Sequence, residues 1–132
     1  MADLDRLYAL AESVRSNAYA PYSNFAVGAA LLCANGRTFT GTNVENGSFG
    51  LSICAERSAV FAAVGAGERD FAGLAVAGPP AETTLPCGAC RQVMAEFNPR
   101  LPIVYSDRTG RAEIQLDALL PQPFTAERLK AP

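Results

Sequence analysis

The 132-residue chain contains no histidine. Imidazole ligation is therefore excluded, and any tightly held transition metal must be bound through cysteine sulfur, with carboxylate or water as supplementary ligands. Four cysteines are available for that purpose. In a chain that is not exported, cysteines stay reduced, which favours a metal site, a catalytic role or simple burial over disulfide bonds.

Long apolar segments and clusters of basic residues are also absent. No run approaches the roughly 18 apolar residues that a membrane helix needs, and the segment MADLDRLYAL lacks the layout of a secretory signal. We therefore expect a cytoplasmic protein without a membrane partner. The 11 basic residues are scattered among 13 acidic ones, so no basic stripe indicates a nucleic acid polymer as partner.

The chain has no internal repeat or low-complexity tract, and glycine and proline fall between periodic segments. Its hydrophobic content of 49% is sufficient for a core. We therefore predict a single domain over residues 1–132.

Apolar periodicity predicts helices and strands in alternation. A first helix over residues 4–14, with Asp3 as its N-cap, should end before the segment 19–24. Asn35 and Gly36 favour the positive φ angles of a tight hairpin. The remaining predicted helices cover residues 55–64, 88–97 and 116–120, and the predicted strands cover residues 25–33, 37–44, 74–77, 103–106 and 112–115. This order predicts an α/β fold, a mixed sheet covered by helices on both faces.

The chemistry is concentrated in two short strings at predicted helix starts, Cys54-Ala55-Glu56 and Pro86-Cys87-Gly88-Ala89-Cys90. Free backbone N–H groups and the helix dipole stabilise thiolates there. Cys87 and Cys90 lie one helical turn apart, and Cys54 arrives from a separate element. Three sulfur ligands leave one position of a tetrahedral zinc open, as in catalytic sites. Cys33 ends an apolar strand and is predicted to be a core residue.

A Cys-x-x-Cys pair alone also occurs in redox motifs and structural zinc sites, so Glu56 is the more informative residue. Two positions after a ligand, its carboxylate can approach a catalytic water without binding the metal. It can also act only as a favourable first-turn charge, contributing about 0.3–1 kcal/mol.

Four segments of the chain resemble the small homotetrameric zinc-dependent cytidine deaminases. They are YAPYSNFAVGAALL (19–32), GTNVENGSFG (41–50), CAERSAVFAA (54–63) and PCGACRQV (86–93). In zinc deaminases of the three-cysteine type, a glutamate that does not bind the metal carries protons.

The resemblance implies a three-layer α/β/α fold with a five-stranded mixed sheet, and one zinc per chain held by Cys54, Cys87 and Cys90. The implied reaction, part of pyrimidine salvage, converts free cytidine and deoxycytidine to uridine and deoxyuridine, with Glu56 as proton carrier. Arg57 would donate hydrogen bonds to a ligand sulfur, or it is a surface arginine.

The same resemblance assigns substrate contacts. Asn43 and Glu45 would bind the sugar, since residues two apart on an extended chain face the same side. The carboxylate of Glu45 would repel a phosphate, which favours nucleosides over nucleotides. The Ala55 N–H would donate to the pyrimidine O2. Two aromatic residues would pack on the base, Phe25 and, from another subunit of a homotetramer, Phe124, although isolated phenylalanines are usually core residues.

One departure from the family is Phe49, which stands where tyrosine is frequent, so a hydroxyl contact to the sugar is missing. Three alternatives to a cytidine deaminase remain open at this point. They are a structural zinc module, a deaminase of RNA or single-stranded DNA, and a deaminase of a modified cytosine nucleoside or nucleoside antibiotic. The first requires a fourth ligand, the second requires basic channels and stacking aromatics, and the third shares the C4 chemistry.

Overall fold

The computed structural model describes residues 2–129. Its helices are α1 (Ala2–Val14), α2 (Ala55–Gly65), α3 (Gly88–Phe97) and α4 (Leu116–Leu119), and its strands are β1 (Gly28–Cys33), β2 (Thr38–Thr42), β3 (Phe71–Ala77), β4 (Pro102–Asp107) and β5 (Gly110–Gln115). Short 3₁₀ turns cover Arg15–Asn17, Phe49–Leu51 and Ala126–Leu129. Among the described helices, none is both long and apolar enough to cross a membrane.

The strands form one sheet in the order β2-β1-β3-β4-β5. Only the β3–β4 pair is parallel, and the other three pairs are antiparallel. Because neighbouring residues of a strand face opposite sides, the sheet has two apolar faces. Ala30, Ala75 and Val104 pack with α1 residues on one side, and Leu31, Leu74 and Ile103 pack with α2 and α3 residues on the other. The predicted three-layer α/β/α fold is confirmed.

A glycine on β2 determines how closely α2 approaches the sheet. A Cβ added at Gly41 would lie 2.5 Å from the backbone N of Ala59 and 2.6 Å from the carbonyl O of Ala55. No side chain fits in this space. The first turn of α2, which carries the residues of the candidate site, is thereby held directly against the edge strand.

Several predicted boundaries are wrong, for identifiable local reasons. Asp3 lies inside α1 and pairs with Arg6 at 2.6 Å instead of capping the helix. In the β1–β2 loop only Gly36 has positive φ, +92°, and the Asn35 amide bonds the Glu68 carboxylate instead. Because the Cys33 N–H still bonds the Arg37 carbonyl at 2.8 Å, the unpaired residues of the hairpin are the three at positions 34–36.

Candidate active site

Cys54 and Cys87 are the N-cap residues of α2 and α3, and both have extended backbone conformations immediately before the helix begins. Neither thiol caps its own helix. The side chains are therefore available to each other across the two helix starts. Cys90, one turn into α3, is fully buried behind them.

The three sulfur atoms form one cluster. Sγ of Cys87 lies 3.6 Å from Sγ of Cys54 and 3.5 Å from Sγ of Cys90, and all three are within 4.8 Å of one another. A tetrahedral ion with Zn–S bonds of about 2.3 Å holds sulfurs about 3.8 Å apart. The spacing and the soft donor set therefore fit zinc. Among the described residues the cluster has three members, and Cys33 lies in the core with 1% of its surface exposed, as predicted.

Arg57 lies beside this cluster, with Nη2 3.6 Å from Sγ of Cys54. The neighbouring Cys90 thiol and then the Arg57 guanidinium lower the pKa of Cys54 to about 5, while Cys54 in turn raises the pKa of Cys90. The Nε of Arg57 is buried and has no hydrogen-bond partner among residues 2–129. A guanidinium here partly offsets the negative charge that metal-binding thiolates carry.

Glu56 occupies the first turn of α2 and has only 4% of its surface exposed. Burial, with a smaller contribution from the charge of Cys54, raises the pKa of Glu56 to about 7. A carboxyl group that is shielded from water and has a pKa near physiological pH can both accept and release protons.

A cavity of about 460 Å³ opens over these residues, a size within the range of small-molecule sites. The predicted site residues on its wall are Phe25, Asn43, Glu45, Cys54, Ala55, Glu56, Arg57 and Cys87. Cys90 is not part of this wall because it is buried beneath it. One cavity thus brings together most of the predicted zinc-binding, proton-transfer and substrate-binding side chains.

The side chains of Asn43 and Glu45 both form hydrogen bonds with the segment 22–27, which includes Phe25. The Asn43 amide donates to the Phe25 carbonyl at 2.8 Å and accepts from the Val27 N–H at 2.9 Å. The Glu45 carboxylate accepts from the Ser23 hydroxyl and from the backbone N–H groups of Tyr22 and Ser23. These bonds lower the pKa of Glu45. The pair therefore shapes one wall of the cavity as well as presenting polar atoms to it.

Phe124 does not line this cavity in its own chain; it lies at the surface, 53% exposed. Phe49 is 75% exposed and contacts Tyr22 edge to face, with ring centroids 5.9 Å apart. Phe49 and Tyr22 contribute to a smaller adjoining cavity, of about 330 Å³, that shares Ser23, Glu45 and Ser52 with the larger one.

Six residues of the cavity wall were not predicted from the sequence to belong to the site: Ser23, Val27, Ser52, Ile53, Thr84 and Leu85. Ser23 could have been found as the polar residue of the segment YSNF beside Phe25, and Leu85 from its position just before Pro86 and Cys87. Thr84 had no such signal. Its Oγ1 is buried against Gly78 and has no hydrogen-bond partner in the described chain.

Comparison with known proteins agrees with this geometry. A family model described as the cytidine and deoxycytidylate deaminase zinc-binding region matches residues 1–106. The chain belongs to this deaminase family. The matched residues include Glu56 and the three clustered cysteines. The family is a zinc-binding one, and this chain has a sulfur cluster that could hold the ion.

Family members with the same overall length give a narrower comparison. A cytidine deaminase of Halalkalibacterium halodurans is 46% identical, over 94% of this chain and 97% of the relative. A cytidine deaminase of Sporosarcina psychrophila is 44% identical, over 96% of this chain and 95% of the relative. The crystal structure of the Burkholderia pseudomallei cytidine deaminase, 46% identical, superposes with a TM-score of 0.84 and covers 91% of this chain and 98% of that one.

Proposed function

We propose that this protein hydrolyses free cytidine and deoxycytidine to uridine and deoxyuridine, releasing ammonia. The observation that carries the proposal is the three-sulfur cluster beside a buried glutamate, at the wall of a cavity of about 460 Å³. The relatives named cytidine deaminase, each matched over nearly its full length, support the same reaction.

Cys54, Cys87 and Cys90 would hold one zinc ion per chain. When bound, the ion supplies the Lewis acidity that lets water ionise near neutral pH. Arg57, 3.6 Å from the Cys54 sulfur, would keep that sulfur oriented and reduce the excess negative charge of three thiolates.

Glu56 would carry the protons of the reaction. It accepts a proton from the attacking water as the water oxygen bonds to C4 of the pyrimidine, and it delivers that proton to N3. It then takes the second proton, from the hydroxyl now on C4, and gives it to the amino nitrogen; the C4–N bond breaks, ammonia leaves, and the oxygen on C4 becomes the carbonyl of the uridine product. The burial of Glu56 supports this role because bulk water cannot compete for the proton.

The remaining wall residues would orient the nucleoside. The Ala55 N–H, in the first turn of α2 and so without an intrahelical acceptor, would donate to O2 of the base. Phe25 would pack on the ring, and Asn43 and Glu45 would hold the ribose hydroxyls. Because Glu45 carries a negative charge, a 5′-phosphate would be repelled.

We further propose that the chain acts as one domain within a cytoplasmic homotetramer, with Phe124 entering a neighbouring subunit's cavity. The exposed aromatics support an interface. Tyr19 bridges to Val44, and Tyr22 contacts Phe49, and each of the four side chains is at least 46% exposed. Apolar surface of this kind is typical of contact between subunits.

The test is the loss of ultraviolet absorbance when purified protein is mixed with cytidine, deoxycytidine or cytidine monophosphate. Both nucleosides should react, and the monophosphate should react at least tenfold more slowly. Comparable turnover of the monophosphate would overturn the role of Glu45. No turnover of either nucleoside, with turnover of a modified cytosine nucleoside, would favour the alternative substrate class.

A further inference from the structure

Gln92, two residues after Cys90 on α3, holds the main chain of Phe124 with both ends of its amide. Its Nε2 donates to the Phe124 carbonyl at 2.8 Å, and its Oε1 accepts from the Phe124 N–H at 3.1 Å. A planar amide that bonds both main-chain groups of one residue fixes that residue as a neighbouring strand would.

Arg91 holds the same C-terminal segment at an earlier point. Its Nη1 donates to the Leu119 carbonyl at 3.1 Å, and its Nε donates to the Pro86 carbonyl at 2.7 Å. Pro86 immediately precedes Cys87. The two residues that follow Cys90 therefore connect the cysteine cluster to the segment 119–124.

Phe124 needs such an anchor because little else determines its position. The segment 120–125 has no regular secondary structure. The Phe124 side chain is 53% exposed, so its own burial does not fix it. An aromatic residue that is held by its backbone and projects outward is suited to insertion into another molecule.

We propose that Gln92 is a positioning residue for base recognition. Its clamp sets the orientation in which Phe124 enters the cavity of a neighbouring subunit. This inference rests on the proposed function, and in particular on the role of Phe124. Helix α3 and its N-cap residue would then supply two zinc-binding cysteines of one site and align an aromatic contact of the next.

Gln92→Met tests the clamp because methionine keeps a similar length and removes both hydrogen bonds. We expect KM for cytidine to rise about tenfold, equivalent to about 1.4 kcal/mol, with kcat changed less than about twofold and with zinc content and assembly unchanged. Gln92→Glu keeps the acceptor and loses the donor, so it should recover part of the affinity. Glu96→Met, at an exposed position of the same helix, is the matched control and should retain the original KM.

A double variant separates the clamp from general stability. If Gln92 acts through Phe124, adding Gln92→Met to Phe124→Ala should raise KM no further, because both changes remove one interaction. Additive effects, an unchanged KM in Gln92→Met, or an equal loss of kcat and zinc would each overturn the proposal.

Mixed assemblies test the action between subunits. Gln92→Met chains retain Glu56, and Glu56→Gln chains retain Gln92 and Phe124. Co-purified mixtures should therefore contain sites with the low KM of the original protein, although neither parent variant has active sites of that kind. Mixtures that keep only the raised KM would contradict insertion into a neighbour.

Hydrogen exchange gives a readout that does not depend on catalysis. The Phe124 amide should be protected in the original protein and should exchange faster in Gln92→Met. If the original protein fails to deaminate cytidine, the proposed function fails, whereas an unprotected Phe124 amide in the original protein overturns the clamp itself.

Discussion

Glu56→Gln separates proton transfer from metal binding, because glutamine keeps nearly the same shape but cannot accept and carry protons. Glu56 is only 4% exposed, so water cannot readily take its place in the variant. A positioned general acid–base contributes about 10²–10⁴-fold. Since Glu56 is proposed to act in successive steps, we expect the upper end, a loss of about 10⁴, which raises the barrier by about 5.4 kcal/mol.

The assay combines the rate of absorbance loss on cytidine with metal analysis and a separate measurement of nucleoside binding. Zinc should stay at the original level, since the described metal cluster consists of sulfur atoms alone. Binding should survive or tighten, because the neutral amide lies less unfavourably beside anionic sulfur. Glu96→Gln makes the same chemical change on an exposed face of α3 and should be fully active.

A variant that keeps zinc, the folded assembly and more than about a tenth of the original turnover would refute the role of Glu56. The residue would then be explained as a first-turn charge that stabilises α2 by about 0.3–1 kcal/mol.

Other substitutions and conditions test the zinc ligands, the role of Asn43 and the shared site. Cys87→Ala should abolish stoichiometric zinc binding, whereas Cys33→Ala, in the core, should keep zinc and lower the free energy of unfolding by about 1–2 kcal/mol; full zinc in Cys87→Ala would refute the ligand set. Asn43→Ala removes two hydrogen bonds and leaves the buried Val27 N–H without its acceptor. Urea denaturation should therefore show a free energy of unfolding lower by about 2–3 kcal/mol, and an unchanged denaturation midpoint would contradict this. Diluting the protein to monomers should abolish activity; full turnover per chain in a demonstrably monomeric sample would exclude a shared site.

The helices at the site could be predicted because their signals are local. For α3 the predicted bounds, residues 88–97, agree with the structure: Gly88 begins the helix after the Cys87 N-cap, and Pro99 lies just beyond its end. Local sequence patterns could not show that the starts of α2 and α3, which are distant in sequence, lie side by side. The family motifs around Cys54 and Cys87 predicted that contact.

The strand predicted for residues 25–33 begins later, at Gly28, because side chains replace the sheet ladder before it. Asn24 has a positive φ of 57°, the Phe25 N–H bonds the Ser23 hydroxyl, and the Val27 N–H bonds the Asn43 amide. The last of these is a tertiary contact between residues 16 positions apart. Apolar alternation cannot reveal it.

The wall residues Thr84 and Leu85 illustrate the same limit. They reach the cavity because the chain entering Cys87 is pinned at both ends, by Thr84 N–H bonding to the Ser106 carbonyl on β4 and by Arg91 bonding to Pro86. The side chain of Thr84 carries no sign of a site residue, and Leu85 is marked only by its position just before Pro86 and Cys87.

In the proposed mechanism, deamination of cytidine requires a zinc ion held by three cysteines. The most direct measurement is the turnover of chelator-stripped, refolded protein as zinc is added back. We predict negligible activity without zinc and a linear rise that saturates at one equivalent per chain. Activity at the original level in zinc-free protein, or no recovery by correctly assembled protein with zinc bound, would contradict a zinc-dependent reaction.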